Sequence, residues 1–255
     1  MNPQVVAAIV NQGLQLKEFV IVQKLLPNCI AKEFDVNEVS EMVLNSTTLT
    51  NVFQNVSVRN HFGDKKRKQI ELSEHEKLQQ YFHPYMSNVA SGMGKYVING
   101  GSILHSLPGC KEQCLHADYD PALESSSLNR ICLIALEDAT SLIGLVNGKR
   151  MSLNLNQGDA LFCKGDFIHA GAGYSTKNTR LHFYIDYTTT ISSIMLPQLE
   201  RRTYKLFSQN SDVIPLAVPH ECACMKANQA RMHGPKSKKR LRETMKYVRQ
   251  GKPRV

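Results

Sequence analysis

No run of apolar residues in this chain approaches the ~18–20 that a membrane-crossing helix requires, so a helical membrane protein is excluded. The opening MNPQVVAAIVNQGLQLKEF lacks the basic n-region and small-residue cleavage site of a secretory signal. Cysteine is too irregular for a disulfide framework: there are seven, an odd number, scattered along the chain and with no C-x2-C pair. These absences point to a reduced, intracellular compartment, cytoplasmic or nuclear. No internal repeat is evident.

What is present suits one large domain with appendages, or two small ones. The chain has 255 residues, of which 42% are apolar, enough for a real core. Its net charge of +9 is uneven. Residues 226–255 hold eleven Lys/Arg and one acid, Glu243, while the preceding 225 residues hold twenty positive and twenty-one negative charges. The body is neutral and the tail basic, which argues against the folded part being a nucleic-acid-binding surface. The cluster Pro235-Lys-Ser-Lys-Lys-Arg-Leu-Arg242 reads either as a nuclear-import or nucleic-acid-contacting element, or as a solvated end. An acidic partner would suit it equally.

Residues 1–50 look helical apart from Glu18–Gln23, an extended piece, with a helix over Asp35–Leu44. The basic stretch 59–68 reads as an exposed loop. Ser73-Glu-His-Glu76 has a capping-box pattern with Ser73 as N-cap. Behind it, Leu78, Tyr81, Phe82, Tyr85, Met86 and Val89 recur at helical spacing, and Gly92-Met-Gly94 closes the helix. Beyond Gly94 the pattern becomes short strands: Tyr96–Ile98, Ile103–Leu104, Ile131–Leu136, Ser141–Val146, Met151–Leu155, Ala160–Cys163 and Leu181–Tyr187. Turn signals separate them, Asn147-Gly148 being a strong hairpin signal. The expected organisation is an N-terminal helical supporting region (1–94), a β-barrel-like domain (95–190), a C-terminal extension (191–225) and the basic tail (226–255).

Within CLHADYD, His116 and Asp118 are two apart and, on a strand, share a face. With nine histidines, one such pair means little, since chance supplies about 0.3. Company arrives later: His169 ends a strand and is followed by Ala-Gly-Ala-Gly, and Arg180 lies eleven positions on, opening a strand that also carries His182. Two imidazoles and one carboxylate with open positions opposite suit non-haem Fe(II) that activates oxygen. A buried Arg beside them offers a fork to a carboxylate co-substrate.

The order H-x-D, distal His, then Arg on a predicted β-barrel resembles the Fe(II)- and 2-oxoglutarate-dependent oxygenases. The H-x10-R spacing, the small residues after His169 and Pro108–Gln113 before the H-x-D are most similar to the phytanoyl-CoA dioxygenase-like branch. The resemblance implies a mainly β fold, a double-stranded β-helix (jelly roll, cupin-like) with N-terminal helices packed on one sheet. It implies that His116, Asp118 and His169 ligate Fe(II) and that Arg180 pairs with 2-oxoglutarate. It further implies that O2 is consumed and that succinate and CO2 leave as an unidentified substrate is hydroxylated. With Asp118 in the triad, the halide-binding variant is disfavoured. Positions that carry a hydroxyl in many relatives are Gly171 and His182 here, and His182, on the face of Arg180, either supplies the missing hydrogen bond to the co-substrate or is a packed, structural histidine.

Two alternatives stay open: a non-catalytic β-helix scaffold working through its basic tail, and a metal-dependent cupin-type enzyme that does not use 2-oxoglutarate. Arg180 also admits a structural ion pair with Asp186 or Asp166. Tyr119, Asp120 and Gln113 are either entrance residues or loop decoration. His220, Cys222, Cys224 and His233 invite a zinc reading, but the C-x-C spacing with no second cysteine pair favours plain thiols.

Overall fold

The computed structural model of the protein describes residues 1–26, 35–52, 65–113, 115–119, 124–188 and 205–206. The 59–64 part of the basic loop, Cys114, Asp120, the His220/Cys222/Cys224/His233 group and the 226–255 tail lie outside the described residues. Among the described residues no helix is long and apolar enough to cross a membrane.

Among the described residues, three α-helices form where capping and apolar spacing agree. Helix α1 (Pro3–Leu16) starts with Pro3 behind Asn2, whose side chain accepts from the Gln4 amide at 2.8 Å. Helix α2 (Val36–Asn45) is capped likewise by Asp35 on Asn37 N. Helix α3 (Glu76–Gly92) buries Leu78, Phe82, Met86, Val89 and Ala90 in the expected stripe, and Gly94 beyond its end sits at φ +110°. Its N-terminus differs from the capping-box reading. Leu72–Glu74 form a 3-10 turn that absorbs Ser73, and His75 becomes the N-cap, with Nδ1 3.4 Å from Leu78 N.

The strands are β1 (Phe19–Val22), β2 (Thr50–Asn51), β3 (Arg67–Glu71), β4 (Tyr96–Ser106), β5 (His116–Ala117), β6 (Arg130–Ala135), β7 (Thr140–Val146), β8 (Lys149–Leu155), β9 (Ala160–Lys164), β10 (His169–Gly171), β11 (Asn178–Tyr187) and β12 (Lys205–Leu206). They pair antiparallel in two sheets, β1-β9-β6-β11-β4-β3-β2 and β12-β5-β10-β7-β8. The central eight, β4 to β11, divide between the sheets as 4-11-6-9 and 5-10-7-8, which is the double-stranded β-helix. Asn147 and Gly148, both at positive φ, make the tight turn between β7 and β8.

Alternation along the strands of the larger sheet separates two cores. Outward residues Ile70, Ile103, Cys132, Ile134, Phe162, Leu181 and Phe183 pack under the three helices. Inward residues Ile131, Leu133, Leu161, Cys163 and Tyr184 meet Leu142, Leu153, Leu155 and Phe167 of the smaller sheet side. The helices therefore cover one face of one sheet, as expected.

Besides the start of α3, the structure departs from the sequence reading in the strands: His169, read as ending a strand, opens β10. Tyr96–Ile98 and Ile103–Leu104 are one strand, carried through an irregularity at Gly100 (φ +113°) where the pairing with β11 shifts. Strand β11 begins at Asn178, so Arg180 is inside it rather than at its start. Region 1–94 supplies helices and also β1, β2 and β3 of the larger sheet. Arg67, read as part of a solvated loop, opens β3 and is 1% exposed.

Behind the larger sheet, His105 Nδ1 shares a 2.9 Å hydrogen bond with Thr179 Oγ1, which also meets Ser40 Oγ at 3.0 Å. Burial, with Lys177 and Arg180 nearby, lowers the His105 pKa to about 4. The neutral imidazole belongs to the folded state, while an unfolded one takes a proton near pH 6.5. This contribution is therefore complete above about pH 6.5 and fades as pH falls toward 4. Between pH 7 and 5 it should cost roughly 2 kcal/mol of unfolding free energy, and His105→Gln should remove that slope in urea melts at the two pH values. In the helix-covered core, Phe82→Ala should destabilise by about 3–5 kcal/mol in the same assay, because Phe82 is wholly buried.

Candidate metal centre

Strands β5 and β10 pair so that His116 stands opposite His169. Their rings lie 4.6 Å apart, and Asp118, two residues past His116, turns its carboxylate toward both. Its Oδ1 is 3.7 Å from His116 Nε2 and 3.8 Å from His169 Nε2. One donor atom from each of the three falls within 4.8 Å of the others, and all three residues are buried. Two ligands about 2.1 Å from a shared ion stand at most about 4.2 Å apart, so the two separations to Oδ1 suit a single ion.

The local sequence explains how each ligand is aimed. His169 Nδ1 lies 2.9 Å from Phe167 O, which accepts its proton and leaves the Nε2 lone pair facing Asp118. The Phe167 ring stacks parallel to that of His169, and it fits because residue 144 on β7 is glycine: a Cβ there would come within 2.6 Å of Phe167. On the Asp118 side, Tyr119 is anchored twice. Its amide donates to Gly165 O at 3.1 Å and its hydroxyl to Asp186 Oδ1, while Asn99 Nδ2 donates to Asp186 Oδ2. Asp186, one ion-pair partner considered for Arg180, is thus engaged by Tyr119 and Asn99.

Arg180 and His182 alternate into the inter-sheet space, where they line one cavity together with His116, Asp118, His169 and Gln113. Arg180 is 3% exposed; its Nη1 donates to Ser106 Oγ at 3.0 Å, and its guanidinium lies 5.6 Å from the centre of the Tyr174 ring. His182 is placed against the metal-side carboxylate, with Nε2 3.2 Å from Asp118 Oδ2. The five residues given a metal or co-substrate role in the sequence, His116, Asp118, His169, Arg180 and His182, therefore line one cavity.

Burial alone would push the Asp118 carboxyl up. The His182 contact, with His169 and His116 beside it, outweighs burial and holds it well below the usual carboxylate range. The nearby Cys163 thiol is instead raised well above its usual value by burial, as is Cys132, so neither is a ready nucleophile.

Arg67 and Gln113 tie the two ligand-bearing segments together. Gln113 N donates to Gly171 O at 3.0 Å, and its side-chain Oε1 accepts from Gly171 N at 2.8 Å. Arg67 Nη2 donates to the carbonyls of Lys111, Gly171 and Ala172. A Cβ at residue 171 would fall 2.6 Å from Arg67 Nη1 and closer still to Gln113 Oε1, which is why a glycine stands two positions after His169. Gln113 was singled out in the sequence without a role. Arg67 was not, because a lone Arg in a basic run carries no sign of burial.

No protein-family model matches the sequence, and neither does any curated protein. Solved structures match the fold. The prolyl hydroxylase of Trichoplax adhaerens, in complex with a hypoxia inducible factor oxygen degradation domain peptide fragment, superposes with a TM-score of 0.58 at 14% identity, covering 72% of this chain and 90% of that one. The epimerase SnoN, in complex with Fe3+, alpha ketoglutarate and nogalamycin RO, gives 0.55 at 11% identity over 79% of this chain and 95% of that one. A Pseudomonas putida prolyl-4-hydroxylase gives 0.55 at 11% identity over 72% of this chain and its whole length. The chain shares its double-stranded β-helix fold with these structures.

Proposed function

We propose that this protein is an Fe(II)- and 2-oxoglutarate-dependent dioxygenase that hydroxylates its substrate. The observation that carries the reading is the gathering of one donor atom each from buried His116, Asp118 and His169 within 4.8 Å of one another, with Arg180 on the wall of the same cavity. Two neutral imidazoles and a carboxylate are the donor set for Fe(II) that activates oxygen. The bound ion would supply the oxidising chemistry: one O2 and 2-oxoglutarate give succinate and CO2 while a substrate C–H becomes C–OH.

The chain's own residues hold and orient. His116, Asp118 and His169 would hold the ion from one wall of the cavity. Arg180 meets a co-substrate carboxylate with a planar fork of donors, fixed in direction by Ser106 and Tyr174. Leu133, Leu142 and Tyr184 keep the wall beside the site apolar, which strengthens that charge pairing by excluding water. Among oxygenase branches, the His169-x10-Arg180 spacing supports the phytanoyl-CoA dioxygenase-like one. Fold neighbours carry a peptide fragment in one case and nogalamycin RO in another, so the fold does not select the substrate.

Under anaerobic conditions the protein should bind one Fe(II), and 2-oxoglutarate should then add a weak visible charge-transfer band. His116→Ala and Asp118→Ala should abolish it; a band of full intensity in both variants rejects the ligand assignment. Arg180→Ala should leave Fe(II) binding in place and raise the 2-oxoglutarate constant severely. Removing one partner of a buried charged pair costs about 3–5 kcal/mol, roughly two to three and a half decades of affinity. Arg180→Lys should be intermediate, since it keeps charge and loses the fork. Normal 2-oxoglutarate binding in folded Arg180→Ala would favour a cupin-type enzyme instead.

A further inference from the structure

The two oxygens of Asp118 face different partners. Oδ1 looks toward the Nε2 atoms of His116 and His169, at 3.7 and 3.8 Å, whereas Oδ2 has His182 Nε2 at 3.2 Å. The carboxylate is 3% exposed and His182 9%, so water competes little for either oxygen. His182 has little freedom to be elsewhere. It sits in the middle of β11, paired on one side with Ser102 of β4 and on the other with Leu133 of β6. The edge of its ring abuts Tyr184 at 4.6 Å and 86°.

We propose that His182 is a positioning residue for the metal: its Nε2–H holds Asp118 Oδ2, so that the carboxylate offers the ion a single oxygen, Oδ1. The proposal rests on the metal-centre reading above and extends it to a residue outside the ligand set. Its consequence is one of counting. A six-coordinate ion with three one-atom protein ligands keeps three positions: two for a chelating 2-oxo acid and one for O2. A carboxylate free to swing would bring its second oxygen onto the ion and occupy one of those three. An imidazole N–H on the outer oxygen prevents this and turns the ligand plane, as outer hydrogen-bond partners of ligating carboxylates do.

This assignment competes with the role expected for His182 from its place two residues after Arg180. A ring whose Nε2–H is committed to Asp118 has Nδ1 as its remaining nitrogen, and in that tautomer Nδ1 is an acceptor. An acceptor is unsuited to a co-substrate carboxylate. The two roles therefore predict different losses when the side chain is removed.

The test measures metal binding itself, using Co(II) as a spectroscopic probe and Fe(II) under anaerobic titration, in the full-length chain without co-substrate. His182→Ala should weaken metal binding by about 10- to 100-fold. It should also shift the Co(II) d–d bands, because a second carboxylate oxygen then replaces a solvent ligand on the ion. His182→Gln, whose amide N–H reaches a similar point, should recover most of the affinity. At saturating metal, 2-oxoglutarate should bind both variants within a few-fold of the parent. Unchanged metal binding with weakened 2-oxoglutarate binding in His182→Ala would return His182 to the co-substrate and overturn the proposal. Equal losses in the Ala and Gln variants, accompanied by a lower apo-protein Tm, would make it a packing residue and overturn it too. A parent protein that binds neither ion fails the dioxygenase reading itself, which separates that failure from this one.

Discussion

The antiparallel register that sets His116 against His169 is the constraint on which the rest of the site depends. Both strands are short, two and three residues in β5 and β10, so the pairing cannot rest on their own ladder. It is secured from outside. Gln113 bridges to Gly171 with backbone and side chain, and Arg67 gathers three carbonyls from the same two segments. Each of these buried backbone groups would be costly to leave unsatisfied, so the guanidinium replaces ladder bonds that two short strands cannot make.

From that point the larger sheet completes the site. Strand β11 runs through its middle and turns Arg180 and His182 inward while Leu181 and Phe183 go outward under the helices. One strand therefore links the helix-covered core to the cavity chemistry, and its placement fixes two cavity residues at once. Tyr119 adds a second tie, joining the residue after Asp118 to Asp186 near the far end of β11. The proposed ligands, the proposed carboxylate anchor and the proposed outer partner of Asp118 are all held by residues on rigid strands or by contacts to them, which suits a site that must keep three donors aimed at one point.

Local chemistry made much of this legible in the sequence. The helical stripe Leu78–Val89, the Asn147-Gly148 hairpin and most strands of the barrel follow from periodicity and turn residues, because each is decided within about ten positions of chain. The ordered set His116, Asp118, His169, Arg180 was readable too, since the distances along the chain that matter are those between strand faces. The start of α3 was misread because Ser73 satisfies a capping pattern while a 3-10 turn from Leu72 shifts the helix to Glu76. The division of Tyr96–Ser106 into two strands was misread because Gly100 and Gly101 look like a turn. Only the neighbouring β11, with the Phe183 ring packed within 2.9 Å of the place a Gly101 Cβ would occupy, shows why the strand continues.

What the sequence by itself determined is the set of residue types and their order: a neutral body, a barrel built of short strands, two histidines and an aspartate able to share an ion, and an arginine on a later strand. What only the tertiary structure decided is which atoms meet. Arg67 changes from one cation in a basic run to a buried clamp because β3 joins the edge of β4, a pairing with no local signal. His182 turns to Asp118 Oδ2 because β11 crosses the sheet opposite β5. Periodicity specifies the face on which a side chain lies, but the partner it finds there comes from a segment distant in the chain, 44 residues for Arg67 and Lys111, and that distance is closed only by tertiary packing.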